Sequence, residues 1–333
     1  MSSFTAFLKS QLIYEPKYPS HAFDNQVIIV TGSNVGLGQE AVRHFVRLGA
    51  ATVIIACRTL RKGEAAKKDV EASENRPGVC QVWELDLSSY ENVKAFARRV
   101  ESLPRLDVVV ENAGIAQGQF ALAEGHERHI TVNVISTFLL ALLLLPTLRR
   151  SAAQTGTKPF LSIVSSEVHH WTTLPQKKSA NIFAELDKEA SADMSDRYNV
   201  SKLLQILALR YLTHTLIPDR YKYPVVINAV SPGLCKTDLV KNMGIAPAVF
   251  KTLLGRKSEV GSRTLVNAVS PDIVGHDRSA GEFILDDQIE PPSPLVRGVE
   301  GKALEKRVWN ELSTILEQIA PGVTQLYVHV DRK

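Results

Sequence analysis

Cysteine is scarce. Cys57, Cys80 and Cys235 are the only three in 333 residues, and they lie far apart. Neither a C-x-x-C pair nor a disulfide ladder can be drawn from them, which excludes a disulfide-stapled secreted scaffold and fits a reducing, cytoplasmic location. An excess of one charge is also missing: the formal net charge is +4 and no long basic block occurs, so no nucleic-acid partner is expected. Residues 1–9 carry Phe4, Phe7 and Leu8 without a sustained apolar core, unlike a secretory signal. The longest apolar run, FLLALLLL at 138–145, is too short to cross a bilayer and follows Asn133, Ser136 and Thr137. It reads as a buried helix, and no integral membrane span is expected. His169 and His170 are adjacent and lack companion ligands, so they read as loop residues and no metal is expected. No repeat and no Gly/Ser-rich or Pro-rich linker divides the chain.

What is present is an ordinary globular composition, 44% hydrophobic and 22% charged. Its organising stretch is QVIIVTGSNVGLGQEAVRHFVRLG, residues 26–49. Residues 27–30 form a short apolar run, as expected of a strand buried on both faces. Gly32, Gly36 and Gly38 follow, and then Ala41, Val42, Phe45, Val46 and Leu48 recur at helical spacing up to Gly49. Strand, glycine turn and helix form half a βαβ unit. Glycines there permit the bend and let a phosphate approach unpaired N–H groups at a helix start. Purely structural glycines are the alternative, and the flanking strand and helix favour nucleotide binding.

Further strands are expected at 52–56, 79–85, 106–110, 160–164 and 225–230, with a seventh at 282–285. Helices are expected at 60–74, from a Ser88 or Ser89 cap to 103, at 126–150, at 198–214 and at 301–319. Strands alternating with helices predict an α/β fold: a doubly wound parallel sheet with helices on both faces. Residues 1–24 read as an N-terminal extension, where Pro16 and Pro19 discourage a long helix. Residues 25–333 read as a single domain with substrate loops at about 167–197 and 234–262.

Candidate chemistry gathers at strand ends, where ligands bind in such sheets. Tyr198 and Lys202, in RYNVSK, stand one helical turn apart, which places an ammonium beside a phenol. That neighbour favours the phenolate and brings Tyr198 towards use as a proton carrier. Ser166 sits just past a buried strand, placed to bond a substrate oxygen. Asn133 lies within an apolar helix, an unfavourable place for an amide that lacks a purpose or a partner. Each residue alone has an ordinary alternative: a surface Y-x-x-x-K pair, a strand-end turn, or a core amide satisfied by backbone.

Taken in order, the motifs resemble those of the short-chain dehydrogenase/reductase superfamily. They are Gly32/Gly36/Gly38, Asp86 after the third strand, Asn112-Ala113-Gly114 after the fourth, Asn133, Ser166, Tyr198/Lys202 and Pro232-Gly233, spanning about residues 25–240. The resemblance implies a Rossmann-type fold. It also implies that Gly32, Ser33, Asn34, Gly36, Leu37, Gly38, Arg58, Asp86, Leu87, Asn112, Ala113, Gly114, Tyr198, Lys202, Pro232, Gly233 and Thr237 meet a nicotinamide cofactor. It gives Tyr198 the role of acid or base and has Lys202 lower its pKa and bond the ribose. Ser166, the second serine of V-S-S, would steady the substrate oxygen, and Asn133 would hold a helix bend and a water leading to Lys202. Two departures stand out: Glu111 replaces an expected asparagine, and the gap from Ser166 to Tyr198 is long. The inserted segment, with His169, His170 and Trp171, the N-terminal extension and the C-terminal Pro291-Pro292-Ser293 stretch resemble retinol-dehydrogenase-like members and reductases of fungal secondary metabolism.

The second strand ends in Ala56-Cys57-Arg58 with Arg61 and Lys62 close behind and no carboxylate, which favours a 2′-phosphate and hence NADP over NAD. The implied partner is a small-molecule ketone, aldehyde or secondary alcohol. Epimerase, dehydratase or cyclase chemistry on the same frame is the alternative, as is a cofactor-binding scaffold without turnover. The joint presence of Asn133, Ser166, Tyr198 and Lys202 argues against the scaffold. A homodimer is expected through the leucine-rich face at 139–145.

Overall fold

The computed structural model describes residues 3–237, 254–275 and 277–328. Eight strands form one sheet: β1 (Val27–Thr31), β2 (Thr52–Cys57), β3 (Cys80–Glu84), β4 (Val108–Glu111), β5 (Phe160–Val164), β6 (Val226–Ser231), β7 (Phe283–Leu285) and β8 (Gln288–Glu290). Their spatial order is β8-β7-β6-β5-β4-β1-β2-β3, all parallel except the last pairing of β8 with β7. The period-two alternation of β1 divides its side chains between two cores. Val27 and Ile29 face one cluster, and Ile28 and Val30 face the other.

Helices cover both faces. On one lie α2 (Gly36–Arg47), α3 (Leu60–Ser73) and α7 (Ser258–Asn267); on the other lie α4 (Tyr90–Glu101), α5 (Ser136–Thr155), α6 (Arg197–Tyr211) and α8 (Gly301–Ile319). The expected doubly wound parallel sheet is the one found. Ser89 caps α4, its hydroxyl accepting from the Asn92 N–H. The order reverses at β1, which has β2 on one side and β4 on the other, and this opens a crevice at the carboxyl ends of the strands.

The apolar helix differs from its sequence reading in one respect. The helical stretch Arg128–Thr155 runs 28 residues and is, by length and composition, long and apolar enough to cross a membrane. Shortness is therefore not what sets it apart from a span. Its most apolar window is 89% buried inside the fold, so the stretch is the sheet's central core helix. The leucines at 139–145 that suggested a dimer are mostly consumed in this core, with Leu139, Leu142 and Leu144 fully buried. They leave no broad apolar face for a second copy.

Two elements go beyond the sequence expectation. The N-terminal extension carries a helix, α1 (Ser3–Ile13), which ends before Pro16. Gln11 fastens it, donating to the carbonyls of Leu234 (2.7 Å) and Leu254 (3.0 Å) while accepting from Leu234 N–H (3.0 Å). Arg256 adds bonds to Ser10 O (2.7 Å) and Tyr14 O (3.1 Å) and an ion pair with Asp286 (2.9 Å). The second such element is β8, reached through a tight turn in which Asp286 and Asp287 both take positive φ (50° and 57°). The loop expected at about 167–197 is a chain of short turns around a helix at Ile182–Leu186. Of the other expected loop, residues 238–253 lie outside the described residues.

Candidate active site

The glycine loop is packed from beneath by the end of β4. A Cβ on Gly32 would stand 2.9 Å from Ala113 Cα, and one on Gly38 would stand 2.7 Å from Asn112 Nδ2. Gly32 and Gly36 also take φ of +63°, which a side chain rarely adopts. Asn112 donates to Thr31 O at 2.9 Å, Ala113 N–H donates to Thr31 Oγ1 at 2.9 Å, and Ser33 Oγ, buried, donates to Val30 O at 2.6 Å. These bonds join the ends of β1 and β4 into one surface.

The facing wall comes from β5 and α6. Ser166 lies just past β5, its hydroxyl accepting from Val168 N–H at 3.3 Å, and the Tyr198 phenol, in the first turn of α6, hydrogen-bonds Ser166. One turn on, Lys202 is buried and donates to Val164 O at 2.8 Å. Ser165 instead points its hydroxyl at Lys202 O (3.3 Å), so the second serine is the one beside the phenol. Gly114 keeps this corner open: a Cβ there would lie 3.2 Å from Asn133 Oδ1 and 3.8 Å from Lys202 Nζ.

The electrostatics depart from the sequence expectation. The Lys202 ammonium nitrogen stands 5.5 Å from the Tyr198 ring centroid. Burial raises Tyr198 above its ordinary range, with the Ser166 hydrogen bond opposing and Cys235 reinforcing the rise. Burial also pushes Lys202 down to about 7, so the cation that was to stabilise a phenolate is only about half protonated at pH 7.

Asn133 sits in a π-helical turn, Thr131–Ile135, directly before α5. Its side chain accepts from Ile115 N–H (2.9 Å) and donates to Ile115 O (2.9 Å) and Ser201 Oγ (3.0 Å). Gln205 donates to its backbone carbonyl at 2.6 Å. The amide thus supports the chain beside Gly114 rather than lining the cavity. Ser201 and Gln205 had not been singled out; both lie on α6 within a turn or two of Tyr198.

Between the two walls is a cavity of about 490 Å³. Asn34, Gly36, Leu37, Asn112, Ala113 and Gly114 line it, as do Ser166, Tyr198, Lys202, Pro232, Gly233 and Thr237. Phe7 of α1 and Trp171 also line it, with rings edge to face at 5.5 Å. Phe7 was unforeseen because nothing local in the sequence ties it to this place.

Other expected cofactor contacts lie outside the cavity. Asp86 accepts from Ser88 N–H (2.9 Å) and Ser88 Oγ (2.6 Å), and Leu87 is buried beneath α5. Arg58 projects, exposed, from the end of β2. Lys62, Asn34, Val35 and Gln39 line a shallow hollow beside the glycine loop. Glu111 is buried with both carboxyl oxygens unpartnered among the described residues, and burial raises its pKa well above the ordinary range. His169 has Nδ1 2.7 Å from Ser166 O and accepts from Ser293 N–H at 3.2 Å, with burial holding it down to about 3. It is a neutral strut. Among the described residues no group of three potential metal ligands occurs.

The model of the family described as short chain dehydrogenase matches residues 26–158. Among curated relatives, the short chain dehydrogenase/reductase dmxR8 of Cryptosporiopsis sp. is 46% identical over 325 residues, covering 96% of this chain and 98% of that one. The short-chain dehydrogenase anuD of Penicillium roqueforti is 41% identical over 96% of this chain and 84% of its own length. Among solved structures, the oxidoreductase yciK of E. coli superposes with a TM-score of 0.59 at 22% identity, over 84% of this chain and 100% of that one. RhlG of Pseudomonas aeruginosa, solved as an NADP active-site complex, gives 0.59 at 22% identity, over 80% and 97%. These structures share the fold.

Proposed function

The chain belongs to the short-chain dehydrogenase family, and on that premise we propose that it is an NADP(H)-dependent oxidoreductase acting on a ketone or aldehyde, or on the corresponding alcohol. The observation that carries this reading is the meeting of Ser166, Tyr198 and Lys202 on one wall of a cavity whose other wall is the glycine loop. The cradle fits a dinucleotide: Gly32, Gly36, Gly38 and Gly114 leave room that a Cβ would fill or strain. Bound there, the nicotinamide supplies or accepts the hydride.

This chain's residues supply the rest. Ser166 holds the substrate oxygen beside the phenol, and Tyr198, kept protonated by burial, donates its proton to that oxygen as a carbonyl becomes an alcohol. Lys202 stands one turn away, where it can meet a ribose hydroxyl and refill the phenol. Asn133, through Ile115 and Ser201, fixes the chain against which Gly114 and Lys202 are set. Phe7 and Trp171 shield the reacting atoms from water.

Three features favour NADP(H): the end of β2 lacks a carboxylate, Arg58 is exposed there, and Lys62 borders the hollow beside Asn34. The substrate is read as a secondary-metabolite intermediate and the location as cytoplasmic. Residues 25–333 are read as one domain, and a homodimer would have to use a face other than the leucines of α5. The test is consumption of NADPH with a panel of simple cyclic and aromatic ketones. Turnover is expected. Isomerised or dehydrated product without net NADPH oxidation would instead establish the non-redox alternative.

A further inference from the structure

A second cavity, of about 460 Å³, adjoins the first. The two share three lining residues: Phe7, Glu167 and Trp171. Beyond that passage the walls mix apolar side chains, Ile13, Phe283 and Leu285, with charged ones, Lys9, Asp286 and Glu290. A substrate confined to the first chamber would have no use for the second.

Glu167 stands at the junction with its backbone fixed. It directly follows Ser166, its N–H donates to Ser231 Oγ (3.3 Å), and His169 braces the same turn against Ser293. The side chain is only 7% exposed, and Oε1 has no hydrogen-bond partner among the described residues. Two neighbouring acids are occupied: Asp286 by Arg256 at 2.9 Å, and Asp287 by the Tyr14 hydroxyl (2.9 Å), Lys17 N–H (2.9 Å) and Asn267 (3.0 Å). A carboxyl buried without a partner is costly, so its retention on a cavity wall points to a partner that arrives with the ligand.

Asp286 and, less strongly, Arg256 act on Glu167 electrostatically, and Lys9, Asp286 and Glu290 line the second chamber, so its charges are of both signs. A neutral hydroxyl is compatible with both signs, and it can pair with the carboxyl in either protonation state. Burial and Asp286 raise the Glu167 carboxyl to about 7, so it can accept from a hydroxyl or donate to one.

We propose that the substrate spans both chambers: a ketone with its carbonyl at Ser166 and Tyr198 and a remote hydroxyl, phenolic or alcoholic, bound by Glu167 at the passage. This rests on the oxidoreductase reading and deepens it by naming the substrate class.

The probes are 4-acetylbiphenyl and its 3′- and 4′-hydroxy derivatives, titrated calorimetrically into the NADPH-saturated protein. At least one hydroxy derivative should bind about tenfold more tightly than the parent. Glu167→Leu should erase that difference and Glu167→Gln should retain part of it, with folding followed by thermal melting, since loss of an unpaired buried acid should raise the midpoint. Equal affinity of all three probes in the unmutated protein, or a difference that survives in Glu167→Leu, overturns the proposal. NADPH consumption with the same probes is read separately. Hydroxyl-dependent binding without turnover of any ketone would refute the oxidoreductase reading and leave the Glu167 contact standing. Turnover without hydroxyl dependence would do the reverse.

Discussion

Lys202 donates a 2.8 Å hydrogen bond to the carbonyl of Val164, tying the helix that carries Tyr198 to the last residue of the strand that delivers Ser166. The relative position of phenol and hydroxyl therefore depends on a third residue that also contributes charge. Removing Lys202 should disturb geometry and electrostatics together.

Tyr198→Phe removes only the hydroxyl that bonds Ser166. Carbonyl reduction should fall by roughly 10²–10⁴-fold, the range for loss of a positioned proton donor. NADPH affinity, measured by fluorescence titration, should stay close to the unmutated value, because the lost interaction acts in the transition state. A variant that turns over at the unmutated rate would remove Tyr198 from the mechanism.

Lys202→Met should lower both turnover and cofactor affinity, and it should change stability with a defined sign. Burial holds the folded-state amine down to about 7 from an ordinary 10.5. Between those values the unfolded chain binds a proton that the folded chain does not, so stability rises with pH across that window. Below it both states are protonated and the full cost of the buried ammonium is felt. Urea unfolding between about pH 7 and 9 should show the unmutated protein gaining about 2 kcal/mol relative to Lys202→Met. Parallel profiles for the two proteins would contradict the burial of a titrating amine.

Arg58→Ala tests cofactor choice. The unmutated protein should prefer NADPH to NADH by at least tenfold, about 1.4 kcal/mol. The substitution should erase most of that preference while sparing NADH binding. Equal dissociation constants for the two cofactors before mutation would show that the exposed guanidinium plays no part.

Arg256→Met tests the seating of α1. The guanidinium is 8% exposed and is bonded to Ser10 O, Tyr14 O, Pro232 O and Asp286. Removing it strands Asp286, and the expected loss is about 3–5 kcal/mol. Denaturant unfolding gives the magnitude, and earlier proteolytic cleavage within α1 would locate it. An unaltered midpoint would mean that α1 is held by its apolar contacts alone.

The parts of this molecule that were legible in the sequence are those with local causes. The apolar run of residues 27–30, the serine cap of α4 and the span of α8, Gly301–Ile319, follow from neighbours a few residues apart. Ser166, Tyr198 and Lys202 were recognisable because strand ends and a helical turn fix their approach. What escaped depends on distant partners. Gln11 meets Leu234 and Leu254 across more than two hundred residues, and Phe7 meets Trp171, pairings that no periodicity announces. The Asp286-Asp287 turn lacks the glycine that usually marks such hairpins, although FIL and QIE on either side of two aspartates were a usable signal. The direction of the Tyr198 shift was missed for another reason: a four-residue spacing brings two side chains to one face without saying where the ammonium points.

The double grip of Gln11 on Leu234 and Leu254 has a consequence for how this protein can diversify. Those carbonyls, with the backbone bonds between Lys236 and Arg256 and between Arg256 and Leu234, bring residues 234–236 and 254–256 together. Once the base of a loop is closed, doubling its length costs only about 0.6 kcal/mol of chain entropy. Insertions and deletions between the flanks should therefore cost little chain entropy and leave the reactive wall and its amino-terminal clasp as they are.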